Sequence, residues 1–368
     1  MTRKIGCLLL AAALCALTGC GSAAQTEGRD NKTSQAASSV SQTDQEAEEI
    51  PSSTQQVFAM DTYMTVTAYG EQAETAVSTA VEEIQRLDAL WSVGESDSEI
   101  SILNDSGSIL LSEETAELVE YSLTLCEETG GAFDITIYPL MVEWGFPSGD
   151  YQVPTQQRID ELLELVGSDK LEYDAETRQL TLPEGMAIDL GGIAKGYVSS
   201  HIMDVFEECG VVSGMVSLGG NVQTYRTKTD GSLWRVGIEN PDATVEALSG
   251  VDYVGILSVA DKAVITSGGY ERYFEEDGVT YHHILDPATG SSARSGLLSV
   301  TIVSEDGTLA DGLSTSLFVM GKEKALAFWA EHSDEFDAVL VEEDGAVTIT
   351  GGLKDCFESD LDYTCVES

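Results

Sequence analysis

The chain has 368 residues and a formal net charge of −46 at pH 7, because 64 Asp and Glu outnumber 18 Lys and Arg. This excess of acid argues against nucleic acid as a partner, since proteins bind the phosphate backbone by neutralising it with Lys and Arg. Four histidines and no Cys-x-x-Cys pair argue against a zinc site of Cys and His ligands. An oxygen-bound Mg²⁺ or Ca²⁺ suits the composition better, and a cation or a local basic patch would be needed to hold an anionic ligand.

Residues 1–19 have the pattern of a bacterial lipoprotein signal peptide. Arg3 and Lys4 precede an apolar run, and the sequence Leu17-Thr18-Gly19-Cys20 resembles a lipobox. Cys20 is therefore expected to carry lipid and to anchor the mature protein on the extracytoplasmic face of the bacterial cell membrane. The alternative is a transmembrane anchor, but the apolar run is shorter than the roughly 20 residues that span a bilayer.

Residues 20–54 are rich in Ser, Thr, Gln, Ala and Glu, and are predicted to form a disordered tether. The tether would hold a globular body, residues 55–368, away from the membrane. That body is long enough for one large domain or for two intertwined lobes. Near its end, Cys356 and Cys365 either form a disulfide or pack as small apolar side chains.

The first part of the body is predicted to contain one strand and three helices. Hydrophobic periodicity places these elements at 57–69 for the strand and at about 71–90, 113–128 and 155–167 for the helices. Ser112 is expected to cap the second helix and Gly130-Gly131 to end it, while Pro154 and Thr155 open the third.

The rest of the body is predicted to be richer in strands, with two further helices near its end. In chain order we expect a hairpin of 171–173 and 179–182, a strand at 214–218, many short strands within 222–303, helices at about 309–320 and 322–332, and two closing strands. Because helices and antiparallel-looking strands occur in separate runs, the predicted fold class is α+β.

The stretch from Ile188 to Tyr197 is the most informative in the chain. Its pattern indicates an apolar strand that runs into Gly191-Gly192 and then into a helix ending near Gly210. Lys195 would lie in the first helical turn, where its charge opposes the helix dipole unless an anion such as phosphate lies nearby. Alternatively, the glycines only turn the chain and Lys195 is a solvated surface residue. The stretch matches neither the Walker A nor the GxGxxG pattern.

A second stretch, His282-His283, lies in a predicted strand that ends at the turn Asp286-Pro287. Neighbouring side chains of a strand point to opposite faces, so one of the two imidazoles must face inward. An inward imidazole is either a satisfied core group or a general base, and the second role is favoured for His283.

A third stretch places Asp311, Ser314 and Thr315 on one face of a predicted helix. A carboxylate and two hydroxyls directed to one point suit a hard cation. The alternative is local: the hydroxyls bond back to the helix, and Asp311 is an acid favoured near the helix start.

In this order, the stretches resemble the FAD:protein FMN transferase family, also called ApbE, whose members are often secreted lipoproteins. The resemblance covers nearly the whole body and also rests on these segments: Met60-Asp61-Thr62, Ser98-Glu99-Ile100-Ser101 with Asn104, Gly131-Ala132-Phe133-Asp134-Ile135-Thr136, Ser217-Leu218-Gly219-Gly220-Asn221 and Thr266-Ser267-Gly268 with Tyr270-Glu271. The chain departs from the family pattern at Asp61, where Gly is usual, and at Ser314, where some relatives carry a carboxylate.

The resemblance implies an α+β architecture related to T-fold sheets, with FAD in a cleft between two lobes. It assigns FAD binding to Met60, Trp91, Ala132, Phe133, Asp134, Asp189, Lys195 and Leu285. It assigns the cation, normally Mg²⁺, to the carbonyl of Gly192 with Asp311, Ser314 and Thr315. The catalytic candidates are His283 and Asp311.

The reaction implied is metal-assisted phosphoryl transfer, in which a Thr or Ser hydroxyl of a second protein attacks the FMN-side phosphorus of FAD and AMP leaves. Either His283 or a metal-bound carboxylate would take the hydroxyl proton. The expected acceptor belongs to membrane redox machinery. Two rival interpretations remain: an FAD pyrophosphatase that uses water as nucleophile, and a flavin-binding or solute-binding lipoprotein without catalysis.

Overall fold

A computed structural model describes residues 50–367, so the predicted signal peptide, Cys20 and most of the tether lie outside the described residues. Within this range the helices are α1 Ala73–Trp91, α2 Glu99–Ser106, α3 Glu113–Glu128, α4 Tyr138–Trp144, α5 Gln156–Leu163, α6 Ala194–Glu208, α7 Gly307–Met320 and α8 Lys322–Glu331. Over the same range, no helix combines the length and the apolar character needed to cross a membrane.

The strands are β1 Ser52–Ala59, β2 Thr62–Tyr69, β3 Ser108–Leu110, β4 Glu172–Asp174, β5 Gln179–Thr181, β6 Ser213–Leu218, β7 Asn221–Tyr225, β8 Trp234–Glu239, β9 Tyr253–Val259, β10 Ala263–Gly268, β11 Tyr273–Glu276, β12 Val279–His282, β13 Leu285–Asp286, β14 Ser291–Ser292, β15 Leu297–Ser304, β16 Phe336–Glu342, β17 Val347–Thr350, β18 Phe357–Glu358 and β19 Tyr363–Val366. A large sheet has the order β1-β2-β6-β7-β10-β15-β16-β17-β19. Its neighbours are antiparallel except β17 and β19, which are parallel.

The large sheet is covered on both faces along its middle strands. Strand β10 shows the alternation, because Ala263 and Ile265 belong to the core beneath the helices whereas Val264 belongs to a second core on the opposite face. Helices α1, α6 and α7 pack against the first face. The three-stranded sheet β18-β9-β8 covers the second face. The α+β prediction is therefore confirmed.

A third apolar cluster lies around helices α4 and α5. Trp144 and Phe146 are buried there together with Leu285, and the rings of Phe274 and Tyr281 pack against them. The indole N–H of Trp144 donates to the carbonyl of Gly290 at 2.8 Å. This cluster supports the segment that carries the two adjacent histidines.

Several predicted elements are confirmed, with ends that shift by a few residues. Helix α3 begins after Ser112, whose Oγ accepts a hydrogen bond from the backbone N–H of Thr115. Thr155 caps α5 in the same way, although that helix ends at Leu163 rather than near Gly167. The hairpin β4–β5, strand β6, the run of short strands after residue 222, and helices α6, α7 and α8 are also present.

Other predictions are wrong. The single strand predicted over 57–69 is a hairpin, because Met60 and Asp61 adopt left-handed backbone angles and reverse the chain. The predicted strand before Gly191 is absent: the side chain of Asn104 bonds both the N–H and the carbonyl of Ile188, which occupies the groups a neighbouring strand would use. Helices α2 and α4 were not predicted, and four strands rather than two follow α8.

The two C-terminal cysteines do not form a disulfide. Cys356 and Cys365 are both free and partly buried, and both pack against the second core. Of the two alternatives that the spacing allowed, the structure therefore shows apolar packing.

Candidate active site

Helices α6 and α7 approach each other closely at Gly196 and Gly307. A Cβ atom added to Gly196 would lie 2.1 Å from the carbonyl oxygen of Gly307 and 2.5 Å from Cβ of Asp311. A Cβ atom on Gly307 would lie 2.4 Å from Oε1 of Gln223. Only glycine permits this approach, which brings the N-terminal turn of α6 beside Asp311 on α7.

The carboxylate of Asp311 is held by two donors. The backbone N–H of Gly196 donates to Oδ2 at 2.8 Å, and the side-chain amide of Asn221 donates to Oδ1 at 2.9 Å. Asp311 is only 4% exposed. Each carboxylate oxygen thus keeps acceptor capacity for a further partner, in a fixed orientation.

The hydrogen bond to Asp311 also satisfies the start of α6. Gly196 lies in the first turn of this helix, where a backbone N–H has no carbonyl acceptor within the helix, and Asp311 accepts its hydrogen bond. Gly192 directly precedes Ile193, the N-cap residue of α6. The carbonyl of Gly192, the predicted ligand, is therefore close in sequence to the turn that contacts Asp311.

Three hydroxyl groups form a directed chain beside Asp311. Oγ of Ser314 donates to the backbone carbonyl of Asp311 at 2.8 Å, so its only hydrogen is used. The 2.7 Å contact between Ser267 and Ser314 must then be a donation from Ser267. Thr315 in turn donates to Ser267 at 3.2 Å. All three hydrogens point along the chain, which leaves oxygen lone pairs available to a cation.

Two further predicted site residues, Asp189 and Lys195, lie on either side of the start of α6. Oδ1 of Asp189 accepts from the backbone N–H of Gly191 at 2.8 Å. Desolvation raises the pKa of Asp189, against the opposing effects of this hydrogen bond and of the nearby charges of Arg272 and Lys195. Nζ of Lys195 lies 3.4 Å from the carbonyl oxygen of Gly191. Asp189, Lys195 and Arg272 therefore share one electrostatic environment.

His283 faces this environment, whereas His282 lies in the core. Nδ1 of His283 is 3.2 Å from the carbonyl oxygen of Arg272. Because a carbonyl only accepts, Nδ1 carries the hydrogen and Nε2 of the neutral ring keeps a free lone pair. Desolvation lowers the pKa of His283 to about 3, helped by the charges of Arg272, His282 and Lys195. The ring is therefore neutral at pH 7.

Glu271 is a further titratable group here, and the sequence did not indicate it as functional. The residue as a whole is exposed. Even so, protein atoms desolvate its carboxyl group and raise its pKa to about 7, with Asp311 and Glu239 raising it further and Lys195 lowering it. Asn221 and Ser267 were also missed as site residues. Their only sequence signal was their place in segments that resemble the family.

The residues expected to bind FAD are not equally free to do so. Met60 forms the turn between β1 and β2, and Phe133 contacts Gly192, since a Cβ atom on that glycine would lie 3.2 Å from its ring. Trp91 is 4% exposed, and its indole N–H donates to Thr115. Packing in the core therefore already occupies Trp91.

Of three more of these residues, Asp134 and Leu285 have structural roles of their own. Asp134 caps a short 3₁₀ turn: Oδ1 accepts from the backbone and the hydroxyl of Thr136, and Oδ2 accepts from the N–H of Ser168. Leu285 is buried in the third cluster. Ala132 is half-buried in the loop that precedes Phe133.

The donor atoms of the site are oxygens. Among residues 50–367, no three His, Cys, Asp or Glu side chains gather into a metal site. The candidate cation site therefore depends on one carboxylate, the Gly192 carbonyl and hydroxyl oxygens, a set that suits Mg²⁺ or Ca²⁺ rather than zinc.

Comparison with known proteins identifies close resemblances over most of the chain. Residues 60–340 match the sequence profile of the ApbE family. The FAD:protein FMN transferase of Vibrio cholerae serotype O1 is 34% identical over 236 residues, which are 63% of this chain and 69% of that protein. The crystal structure of the ApbE protein from Thermotoga maritima superposes with a TM-score of 0.75 at 33% identity, covering 81% of this chain and 96% of the other. The flavinyl transferase ApbE of Pseudomonas stutzeri, in its apo form, gives 0.72 at 28% identity and covers 85% and 98%.

Proposed function

The chain belongs to the ApbE family and is an FAD:protein FMN transferase, and we propose that it links FMN to a Thr or Ser hydroxyl of an acceptor protein in a Mg²⁺-dependent reaction that releases AMP. One observation carries the finer part of this proposal. Asp311 on α7 is held by the N–H of Gly196, the residue that follows Lys195 on α6, and the charge of Lys195 in turn acts on the neutral ring of His283. A candidate ligand for a cation, a positive charge and a base are thus close together.

The residues present fit Mg²⁺. Asp311, Ser314 and Thr315 would hold it together with the carbonyl of Gly192, because each offers an oxygen lone pair that its own hydrogen bonds leave unused. When bound, the ion would neutralise part of the charge of the diphosphate and polarise the phosphoryl oxygens. In a chain with a net charge of −46, this neutralisation would strengthen the binding of FAD.

Lys195 and Arg272 would add positive charge next to the diphosphate. Both lie close enough to Asp189 to lower its pKa against the effect of desolvation. The N-terminal turn of α6, which carries Lys195, also presents a partial positive charge. Fixed charges of this kind stabilise the negative charge that develops on the transferred phosphoryl group.

His283 would act as the general base. Its neutral ring offers the lone pair of Nε2 to the acceptor hydroxyl while Nδ1–H holds the ring on the carbonyl of Arg272. As the acceptor oxygen forms its bond to the FMN-side phosphorus, the hydroxyl proton passes to Nε2. The bond between that phosphorus and the bridging oxygen breaks, and AMP leaves with the electron pair.

The nearest alternative, hydrolysis of FAD to FMN and AMP, would use the same residues with water as nucleophile. The two reactions are separated by following FAD, FMN and AMP chromatographically, with and without a target that carries a Thr-containing acceptor motif. Transfer predicts AMP formation that depends on the target and on Mg²⁺, with little free FMN. Equal amounts of free FMN and AMP without a target would indicate a pyrophosphatase, and binding of FAD without AMP release would indicate a non-catalytic flavoprotein.

We further propose that lipid on Cys20 holds the enzyme on the extracytoplasmic face of the membrane, with a membrane redox protein as acceptor. The lipobox-like sequence and the polar stretch that follows it support this proposal. Anchoring both proteins to one membrane would raise their effective concentration. Cys20→Ala should move the protein from the membrane fraction to the soluble fraction. Retention of the variant in the membrane would contradict the anchor.

A further inference from the structure

The side chain of Asn221 reaches the candidate cation site from strand β7, whereas the other donor to Asp311 lies on helix α6. Asn221 is the first residue of β7 and follows the turn Gly219-Gly220, in which both glycines have left-handed backbone angles. It pairs with Leu218 across the hairpin and is 3% exposed. The tight turn therefore fixes the backbone from which the amide points at Asp311.

The two donors to Asp311 come from different elements and bind different oxygens. The N–H of Gly196 on α6 takes Oδ2, and Nδ2 of Asn221 on β7 takes Oδ1, at 2.8 and 2.9 Å. With both donors the carboxylate plane is fixed. With only the N–H of Gly196 as donor, Oδ1 would be buried without a partner. The carboxylate of Asp311 would then be free to rotate about its Cβ–Cγ bond.

The orientation of this carboxylate matters because it is the one charged group in the predicted ligand set. Ser314 and Thr315 supply neutral hydroxyls, and Gly192 supplies a carbonyl. An amide is suited to the role, since it donates a hydrogen bond without adding a charge that would repel a cation. Residues that orient metal ligands in this way commonly change metal affinity by about 10–100-fold when removed.

We propose that Asn221 is a positioning residue for the cation site, holding Asp311 in the orientation that binds Mg²⁺. The inference rests on the proposed role of Asp311 as a ligand. Asn221 does not touch the reacting atoms in this account. Its effect on the reaction passes through the carboxylate alone.

The test compares Mn²⁺ affinity, measured from the EPR signal of the free ion, in the wild-type protein and in Asn221→Leu, which keeps the branched shape of the side chain but removes the donor. The dissociation constant of Mn²⁺ should rise by about 10–100-fold. The Mg²⁺ concentration that gives half-maximal transfer should rise by a similar factor, with kcat largely recovered at saturating Mg²⁺. FAD affinity without metal should stay within about twofold, because Asn221 contacts Asp311 and not the ligand.

Thr224→Val is the matched control. Thr224 lies on the same strand as Asn221 and is also buried. Its hydroxyl forms hydrogen bonds with the backbone of Lys262 and not with Asp311, so the valine variant loses only those bonds. It should bind Mn²⁺ like the wild-type protein. Asn221→Ala, which leaves room for water, gives the same test if the leucine variant does not fold. A shift of Mn²⁺ affinity in Thr224→Val as large as in the Asn221 variants would show that the effect is not specific to Asp311.

Asp311→Ala separates failure of this inference from failure of the proposed function. If Asp311→Ala binds Mn²⁺ as tightly as the wild-type protein, the metal assignment itself is wrong. If Asp311→Ala loses Mn²⁺ while the folded Asn221 variants bind it with unchanged affinity, Asp311 is a ligand and the positioning role of Asn221 is overturned.

Discussion

The backbone N–H of Gly196 donates to the carboxylate of Asp311 at 2.8 Å, across 115 residues of sequence. This bond joins the glycine-rich stretch that contains Lys195 to the helix that contains Ser314 and Thr315. It exists because Gly196 and Gly307 let two helices approach more closely than any side chain would allow. The contact therefore brings two separate sequence motifs, one on α6 and one on α7, together in one site.

Gly196→Ala should disrupt both the helix contact and the site. The new Cβ atom would overlap the backbone of Gly307, which cannot move aside as a flexible side chain could. We expect a loss of about 3 kcal/mol or more in the free energy of unfolding, at the upper end of the cost of overpacking, measured by urea denaturation. Gly94→Ala is the control, because the nearest atom to its Cβ would be Oγ of Ser92 at 3.7 Å. Equal stability of the two variants would argue against a tight helix contact.

His283→Ala should lower kcat for transfer by at most about 10²-fold, the low end of the usual contribution of a general base, because a base of low pKa is a weak proton acceptor, while FAD binding persists. Because the pKa of His283 is lowered to about 3, the wild-type base is already deprotonated above that pH. Activity should therefore show no acid limb from this histidine near its ordinary pKa of 6.5. A limb near pH 6.5 that disappears in the variant would contradict the assigned environment.

Glu271→Gln should strengthen metal-free FAD binding at pH 8 but not at pH 6. The pKa of Glu271 is raised to about 7, so its carboxylate is charged at pH 8 and repels the diphosphate, whereas at pH 6 it is mostly neutral. We expect a gain of about fivefold at pH 8, the size of a screened interaction of about 1 kcal/mol. Fluorescence titration of FAD checks this prediction, and a gain that is equal at both pH values would refute it.

His282→Gln should make stability less dependent on pH. Burial lowers the pKa of His282 to about 4, so between pH 6.5 and 4 the unfolded chain binds a proton that the native protein does not. The wild-type protein should therefore lose about 3 kcal/mol of unfolding free energy over that range through this residue. Glutamine can still donate to the carbonyl of Ala293, which Nε2 of His282 contacts at 3.0 Å.

Urea denaturation at several pH values measures this effect. His332→Gln is the control, because it makes the same substitution at another position. His332 is half-buried at the C-terminal end of α8, where its ring stacks on Phe328. Parallel pH profiles for the wild-type protein and His282→Gln would show that His282 is not held neutral by the fold.

Sequence periodicity predicted elements whose signals are local. Ser112 and Thr155 were identified as starting helices because capping depends on neighbouring residues only. Periodicity gave wrong predictions where side chains from distant parts of the sequence determine the backbone structure. The extended segment at Ile188 resembles a strand, but Asn104 takes its hydrogen bonds from 84 residues away. The turn at Met60 and Asp61 lacks the usual glycine, so alternation seemed to continue through it.

Only part of the candidate site could be predicted from the sequence, because only some of its residues belong to one element. Asp311, Ser314 and Thr315 lie on one helix face, and a 3.6-residue repeat is enough to reveal that. The contributions of Asn221 and Ser267 depend on strands that reach the helix from elsewhere in the sheet. No spacing within one element could reveal them.

The most direct test of the central claim is the intact mass of an acceptor protein after incubation with the enzyme, FAD and Mg²⁺. The acceptor should gain the mass of one FMN minus one water, on a Thr or Ser, with one AMP released for each transfer. Asp311→Ala, folded as judged by circular dichroism, should produce no such adduct. An unmodified acceptor together with free FMN, or full transfer by Asp311→Ala, would contradict the account.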